Sequence, residues 1–364
     1  MLLKNFLGIL NDIVPFYLQE SYDNSGLQVG SPEQEVSKAL ICLDVTIPVV
    51  QEAIEKECDL IVCHHPLIFK GITKVTDNDL TGRILLEAIR HSIAIVAIHT
   101  NVDNAYHGVN HELGQRLGLT NLKILKPAKS MLKKLVTFCP LAHAEKVRSA
   151  LFEAGAGQIG DYDCCSFNLE GKGSFRAGDN TNPFAGKIQE LHYEPEVRIE
   201  TIFPVYLQAG ILAAMLAAHP YEEVAYDIYP LDNVFERAGS GMVGSYDKPL
   251  AVREFLDVVK TELGVPFVRH THYNKGEIRR VAICGGSGSF LMQQAVESGA
   301  QAFVTADVKY HQFFDACDKI LLVDAGHFET EQFTTDLLYS RLKKKIANFA
   351  LLVSETNTNP VNYF

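Results

Sequence analysis

Five residues of metal-ligand type stand just past runs of apolar residues. The stretch DLIVCHHPLIF, Asp59 to Phe69, leads through Leu60, Ile61 and Val62 into the adjacent pair His64 and His65. IAIVAIHT is followed by Asp103, and KILLVDAG runs into His327 and Glu331. Mixed imidazole and carboxylate donors favour Zn, Fe, Mn or Ni over Ca or Mg. At the turn enforced by Pro66, two adjacent rings can diverge towards two nearby ions. His327 and Glu331 are i and i+4, so a helix starting there stacks them on one face. Three imidazoles and two carboxylates exceed the roughly three protein ligands of one catalytic zinc. They suit two ions bridged by a carboxylate, with open positions for water. The expected ligands are therefore His64, His65, Asp103, His327 and Glu331, holding two divalent metal ions per subunit, Zn, Fe or Mn.

A single histidine at a strand end is more often a hydrogen-bonded structural residue; the coincidence at three strand ends is what points to metal. His99 and His107 are read as supporting or loop residues. In TADVKYH, Lys309 is positioned to bind an anion and His311 to serve as acid or base. A helix cap by Asp307 with two solvated side chains accounts for the same residues. CGGSGSF, Cys284 to Phe290, joins a strand to a helix but lacks a full GxGxxG and a Walker lysine, so a tight turn explains it as well as a phosphate does. DNSGLQVG, Asp23 to Gly30, reads as a turn and strand with no chemistry of its own.

The elements that must position these residues follow from the apolar pattern. KALICLDVT, DLIVCHH and IAIVAIHT are continuous apolar strands separated by helical segments, and the C-terminal third repeats that rhythm in RRVAICGG, QAFVTADV and KILLVDAG. Such strands belong to an α/β sheet covered on both faces, with ligands collecting at the strands' carboxyl ends. The middle differs. From KKLVTFCP to EVAYDIYPL the order is β-α-β-β-α-β, a ferredoxin-like unit with RAGDNTNPFAG as its exposed loop. The expected organisation is a metal-binding α/β domain in two sequence halves, residues 1–129 and 236–364, interrupted by an inserted ferredoxin-like α+β domain at residues 130–235. Asp103 and His327 can share a site only if the middle segment loops out.

Composition narrows the partners. Of 364 residues 47% are hydrophobic, ample for packed cores, and the net charge of −11 disfavours a nucleic-acid backbone as main partner. The eight cysteines include no CxxC pair, which fits buried reduced thiols. In MLLKNFLGILNDIV, Leu3, Phe6, Leu7, Leu10 and Val14 share one helical face, so the start is an amphipathic helix rather than a leader. No stretch approaches the ~20 apolar residues needed to span a bilayer, and a cytoplasmic protein is expected.

Taken together, YDNSGLQVG, LDVT, VCHHPLIF, HTNVDNA, GGSG, TADVKYH and GHFETE resemble the NIF-three-like family, whose members are described as GTP cyclohydrolase 1 type 2 homologues. One departure is Tyr22, where the family pattern has Trp. The resemblance implies a dinuclear metal site with ligands at the same five positions. It also implies a toroidal homohexamer with the sites facing an internal cavity. GDYDCCSF, GSFRAGDNTNPF and AAHPYEEVAYDIY resemble the PII/CutA-like insertion of longer members, a trimerising module, so a dimer of trimers is expected. His219 in HPYEE is either a second metal ligand or a structural residue. The implied activity is a metal-dependent hydrolase that opens a nucleotide or related cyclic substrate; for GTP, attack at C8 would release formate. A regulatory, scaffold or metal-sensing hexamer with a small-molecule ligand is the alternative.

Overall fold

The computed structural model describes residues 1–274 and 276–362 and divides into two compact units, one formed by residues 1–127 together with those from 236 onward, the other by 128–235.

The first unit is built on two sheets. One has the spatial order Gly26–Val29, Ala94–Ala97, Leu60–Cys63, Lys38–Cys42, Ala350–Val353; its last four strands are parallel and Gly26–Val29 closes the edge antiparallel. Leu60–Cys63 and Ala94–Ala97 are buried at every position, as continuous apolar strands in a covered sheet must be. The helices Ile47–Glu55 and Leu80–Arg90 bury Val49, Val50, Ala53, Ile84 and Ala88 in the same core as Ile61 and Ile95. Both start on side-chain caps: Thr46 accepts from the Val49 N–H and Asp79 from the Gly82 N–H. The amphipathic helix Leu3–Ile13 buries Leu3, Phe6 and Leu10 and packs against the helix Thr334–Lys345, whose last turn is Lys343, Lys344 and Lys345, complementing its dipole.

The other sheet runs Arg269–His270, Leu321–Asp324, Ala302–Thr305, Ile278–Ile283, Phe235–Leu250, Thr120–Ala128, with its second to fourth strands parallel. Each half of the sequence thus supplies one strand to the sheet made mainly by the other half: Thr120–Ala128 to the second, Ala350–Val353 to the first. The strand Phe235–Leu250 is a difference from the sequence reading, which places no strand between EVAYDIYPL and RRVAICGG. Its GSG and VGS segments resemble a loop, but Gly239 and Gly244 lie so close to the neighbouring strand that an added Cβ would stand 2.2 Å from the Lys126 carbonyl oxygen and 2.8 Å from Leu122.

The second unit follows the order strand, helix, strand, strand, helix, strand. Its sheet is antiparallel, in the order Ser166–Arg176, Leu191–Pro204, Leu132–Pro140, Tyr226–Leu231. The helices Ala144–Glu153 and Gln208–Ala218 bury Val147, Leu151, Ile211 and Met215 against Leu135, Ile199 and Phe203. Ser166–Arg176 and Leu191–Pro204 pair along their whole shared length and extend beyond the rest of the sheet.

Five of the eight cysteines are buried and none is paired. Among the described residues no helix is long and apolar enough to cross a membrane.

Candidate metal centre

His64 and His65 leave the carboxyl end of Leu60–Cys63, where their N–H groups donate to the carbonyls of Cys42 and Leu43 at the end of the adjacent strand. Asp103 lies in the short helix Thr100–Asn104 after Ala94–Ala97. His327 and Glu331 begin and end the helix His327–Glu331 that follows Leu321–Asp324. Two sheets therefore bring five side chains to one place.

Glu331 is the centre of this cluster. Its Oε2 lies 2.9 Å from His65 Nε2, 3.0 Å from His327 Nε2 and 3.6 Å from His64 Nε2. Asp103 Oδ1 lies 3.7 Å from His64 Nε2. Donor atoms of His64, His65 and Glu331 all fall within 4.8 Å of one another and could hold a metal ion. Four donors about 2.0–2.1 Å from one zinc stand about 3.3 Å apart, close to these separations.

The other ring nitrogen of each histidine explains why Nε2 faces the cluster. His64 Nδ1 donates to the Ile98 carbonyl at 2.9 Å. His65 Nδ1 meets Asp44 Oδ1 at 2.7 Å, and His327 Nδ1 meets Asp307 Oδ2 at 2.7 Å. A carbonyl only accepts, so the His64 proton is fixed on Nδ1. Its buried Nε2 then has no hydrogen-bond partner, with two carboxylates in front of it. A cation resolves that arrangement, and outer partners of this type are how metal-binding imidazoles are held. Burial alone would depress the His65 pKa, but its bonds to Asp44 and Glu331 outweigh that and raise it to about 10. His327 is likewise raised, to about 9, by Glu331 and Asp307 against the effect of burial. In the metal-free chain, protons thus stand between the nitrogens and carboxylates where a cation would fit. Burial and the neighbouring Glu331 charge push Asp103 upward, whereas the surrounding imidazoles hold Glu331 well below the usual carboxylate range despite its burial.

Gly286, in the GGSG turn, has φ +59° and no room for a side chain: a Cβ would stand 2.2 Å from Glu331 Oε1 and 3.1 Å from His327 Nε2. The glycine turn is accounted for by the seat it leaves for Glu331, with no phosphate required.

The centre opens on a cavity of about 730 Å³ whose walls include His65, His99, His327, Arg269, Phe69 and Phe328. Neither Lys309 nor His311 lines it. Both are exposed at the start of the helix Tyr310–Ala316, where the Lys309 N–H donates to Gln312 and the His311 ring sits edge-on to Tyr310. Asp307 does not cap that helix; it braces His327. His219 has both ring nitrogens engaged, Nε2 with the Phe138 carbonyl at 3.0 Å and Nδ1 with the Tyr221 N–H at 3.1 Å, so its role is structural.

Two residues escape the sequence reading. Asp44, in the LDVT segment, braces His65. Asp23, in the turn read as having no chemistry, meets His99 Nδ1 at 2.7 Å. His99, in the loop before Thr100–Asn104, then lies against His64 and His65, ring centroids 5.4 and 5.6 Å away, and lines the cavity, the supporting place read for it. The signal available for both carboxylates is their place at the edge of a motif that also resembles the family.

Fold and site define a mixed α/β protein with a candidate metal centre of histidines and carboxylates at the carboxyl ends of its strands. The chain belongs to the Duf34/NIF3 (NGG1p interacting factor 3) family, whose model matches residues 1–360. A Bacillus subtilis relative, GTP cyclohydrolase 1 type 2 homolog, is 39% identical over 346 residues, covering 94% of this chain and 93% of its own. A Listeria monocytogenes relative of the same name is 38% identical over 365 residues, 98% of each chain. The crystal structure of a Bacillus cereus protein related to NIF3 superimposes with a TM-score of 0.89 at 38% identity, covering 100% of this chain and 99% of that one.

Proposed function

We propose that the chain is a metal-dependent hydrolase of a nucleotide or related cyclic substrate, with two divalent cations held by His64, His65, Asp103, His327 and Glu331. The observation that supports this most is the convergence of three Nε2 atoms on Glu331 Oε2, with Nδ1 of each ring already engaged. When bound, a pair of Zn, Fe or Mn ions supplies Lewis acidity and lowers the pKa of water into the neutral range. The chain's own residues provide the rest. Phe69 and Phe328 offer apolar walls for a ring, Arg269 a guanidinium in the lining that is ion-paired with Asp324, and His99, braced by Asp23, an imidazole beside the cluster. Lys309 and His311 would enter this chemistry only through a rearrangement of the helix start they occupy.

The relatives' name makes GTP the first substrate to test. Metal-loaded protein incubated with GTP is expected to release formate as the guanine imidazole ring opens; no release with Zn, Fe or Mn overturns the cyclohydrolase reading. The middle unit is proposed as a PII/CutA-like module, and the assembly as a homohexamer. A regulatory or metal-sensing assembly is the second reading. It is favoured by the position of Lys309 and His311, which leaves the cavity without the acid–base and anion-binding pair expected from the sequence.

A further inference from the structure

The second unit contains a cavity of its own, about 570 Å³, between the long hairpin Ser166–Arg176/Leu191–Pro204 and the segment that follows His219. This volume suits one small organic molecule. Its walls are mainly apolar and aromatic, with Phe138, Phe175, Phe184 and Tyr221 among them. The rings of Phe175 and Phe184 stand 6.1 and 6.0 Å from that of Tyr221.

One polar group is built into this wall. Glu196 is 8% exposed, and its Oε1 accepts from the Tyr221 hydroxyl at 2.7 Å. Among the described residues it makes no ion pair. A buried carboxylate of this kind retains acceptor capacity for further donors. Its Oε2 occupies the space over Gly173, where an added Cβ would come within 2.0 Å. Gly173 is therefore explained by the carboxylate.

Gly171 is not. It lies mid-strand, directly opposite Glu196, and lines the cavity. A Cβ there would meet nothing within 4 Å, and no left-handed φ requires glycine. Glycine weakens a strand interior, and where packing and backbone geometry do not demand it, close approach of a ligand is a recurring reason. The basic lining residues Lys172, Arg176 and Arg198 are all exposed; Arg198 Nε pairs with Glu200 at 2.8 Å, and Lys172 lies over the Tyr193 ring. Glu196 is the one buried charged residue of the lining, so the buried polar recognition the cavity offers is acceptance of hydrogen bonds there, beside aromatic faces.

We propose that this cavity is a binding site for a planar heteroaromatic amine, its ring against Phe175, Phe184 and Tyr221, its amino group donating to Glu196, and its edge over Gly171. The site is independent of the metal centre.

The test uses the full chain and the fluorescence of 2-aminopurine, which aromatic stacking quenches. Saturable quenching is expected below about 1 mM, with purine, which lacks the amine, competing at least about tenfold more weakly. Gly171→Leu should abolish the quenching while leaving the thermal midpoint and metal content unchanged, because a Cβ at this position meets nothing within 4 Å. Glu196→Gln should weaken binding by about tenfold or more. Absence of saturable quenching overturns the proposal, as does quenching that persists in Gly171→Leu, which would place the ligand elsewhere, the metal cavity included. Equal affinity for purine and 2-aminopurine overturns the role of Glu196.

Discussion

Glu331 Oε2 lies 2.9 Å from His65 Nε2, although 266 positions separate the two residues in the chain. The contact joins the helix after the last strand of one sheet to a strand end of the other. It is made within a unit that contains both halves of the sequence around the middle segment. An ion bound at this centre would therefore be held between sheets, and its removal should be felt by both.

Replacing the centre's carboxylate tests this. Glu331→Gln leaves three Nε2 atoms around a neutral amide and removes the negative charge that raises His65 and His327. Loss of one partner from a buried charged cluster destabilises by about 3–5 kcal/mol. Chemical denaturation of metal-free protein should show a loss of that order, and metal should no longer co-purify.

The bracing carboxylates should act at a distance. Asp44→Asn keeps the shape but loses the charge that orients His65, and outer partners of metal-binding histidines typically contribute about 10–100-fold in metal affinity. Competition with a chromophoric chelator should report a loss in that range. An unchanged affinity would mean that Asp44 does not position His65.

The glycine seat under Glu331 predicts a third effect. Gly286→Ala places a methyl group 2.2 Å from Glu331 Oε1 on a backbone with φ +59°. A cost of about 1–3 kcal/mol is expected from the backbone conformation alone, with the displaced carboxylate adding lost metal affinity. Ala at Gly171, where nothing stands within 4 Å, is the control and should be tolerated.

Glu52 supplies the pH dependence. Its carboxylate accepts from the Glu355 N–H at 2.9 Å, the Thr356 hydroxyl at 2.7 Å and Lys56 at 2.8 Å, tying the segment after the strand Ala350–Val353 to the helix Ile47–Glu55. Burial would raise its pKa, but these bonds and that from Ser354 lower it to about 2. A depressed folded-state pKa stabilises fully above the unfolded value near 4.5, and the contribution disappears as pH falls towards 2. Glu52→Gln should therefore cost about 1–3 kcal/mol at pH 7, and the gap to wild type should close between pH 4.5 and 2 in denaturant titrations.

Much of the centre is legible in the sequence for a physical reason. Strands covered on both faces read as unbroken apolar runs, so a histidine or carboxylate placed just after one stands out, as His64, His65, His327 and Glu331 do. Asp44 and Asp23 stand out less, because a lone carboxylate does not show which imidazole it will face 21 or 76 positions away. Lys309 and His311 follow a strand as closely as the ligands do. Their helix turns them to the exposed surface, and nothing in the TADVKYH spacing distinguishes that outcome. The strand Phe235–Leu250 is hidden because close packing against Thr120–Ala128 demands glycine, the residue that elsewhere marks a loop.

The most direct test of the account is the metal content of protein purified anaerobically without chelators, wild type beside the double variant His64→Ala, Glu331→Ala. About two divalent ions per wild-type chain are expected. Almost none is expected in the double variant, whose circular dichroism should remain that of a folded protein. Stoichiometric metal retained by a folded double variant would contradict the account.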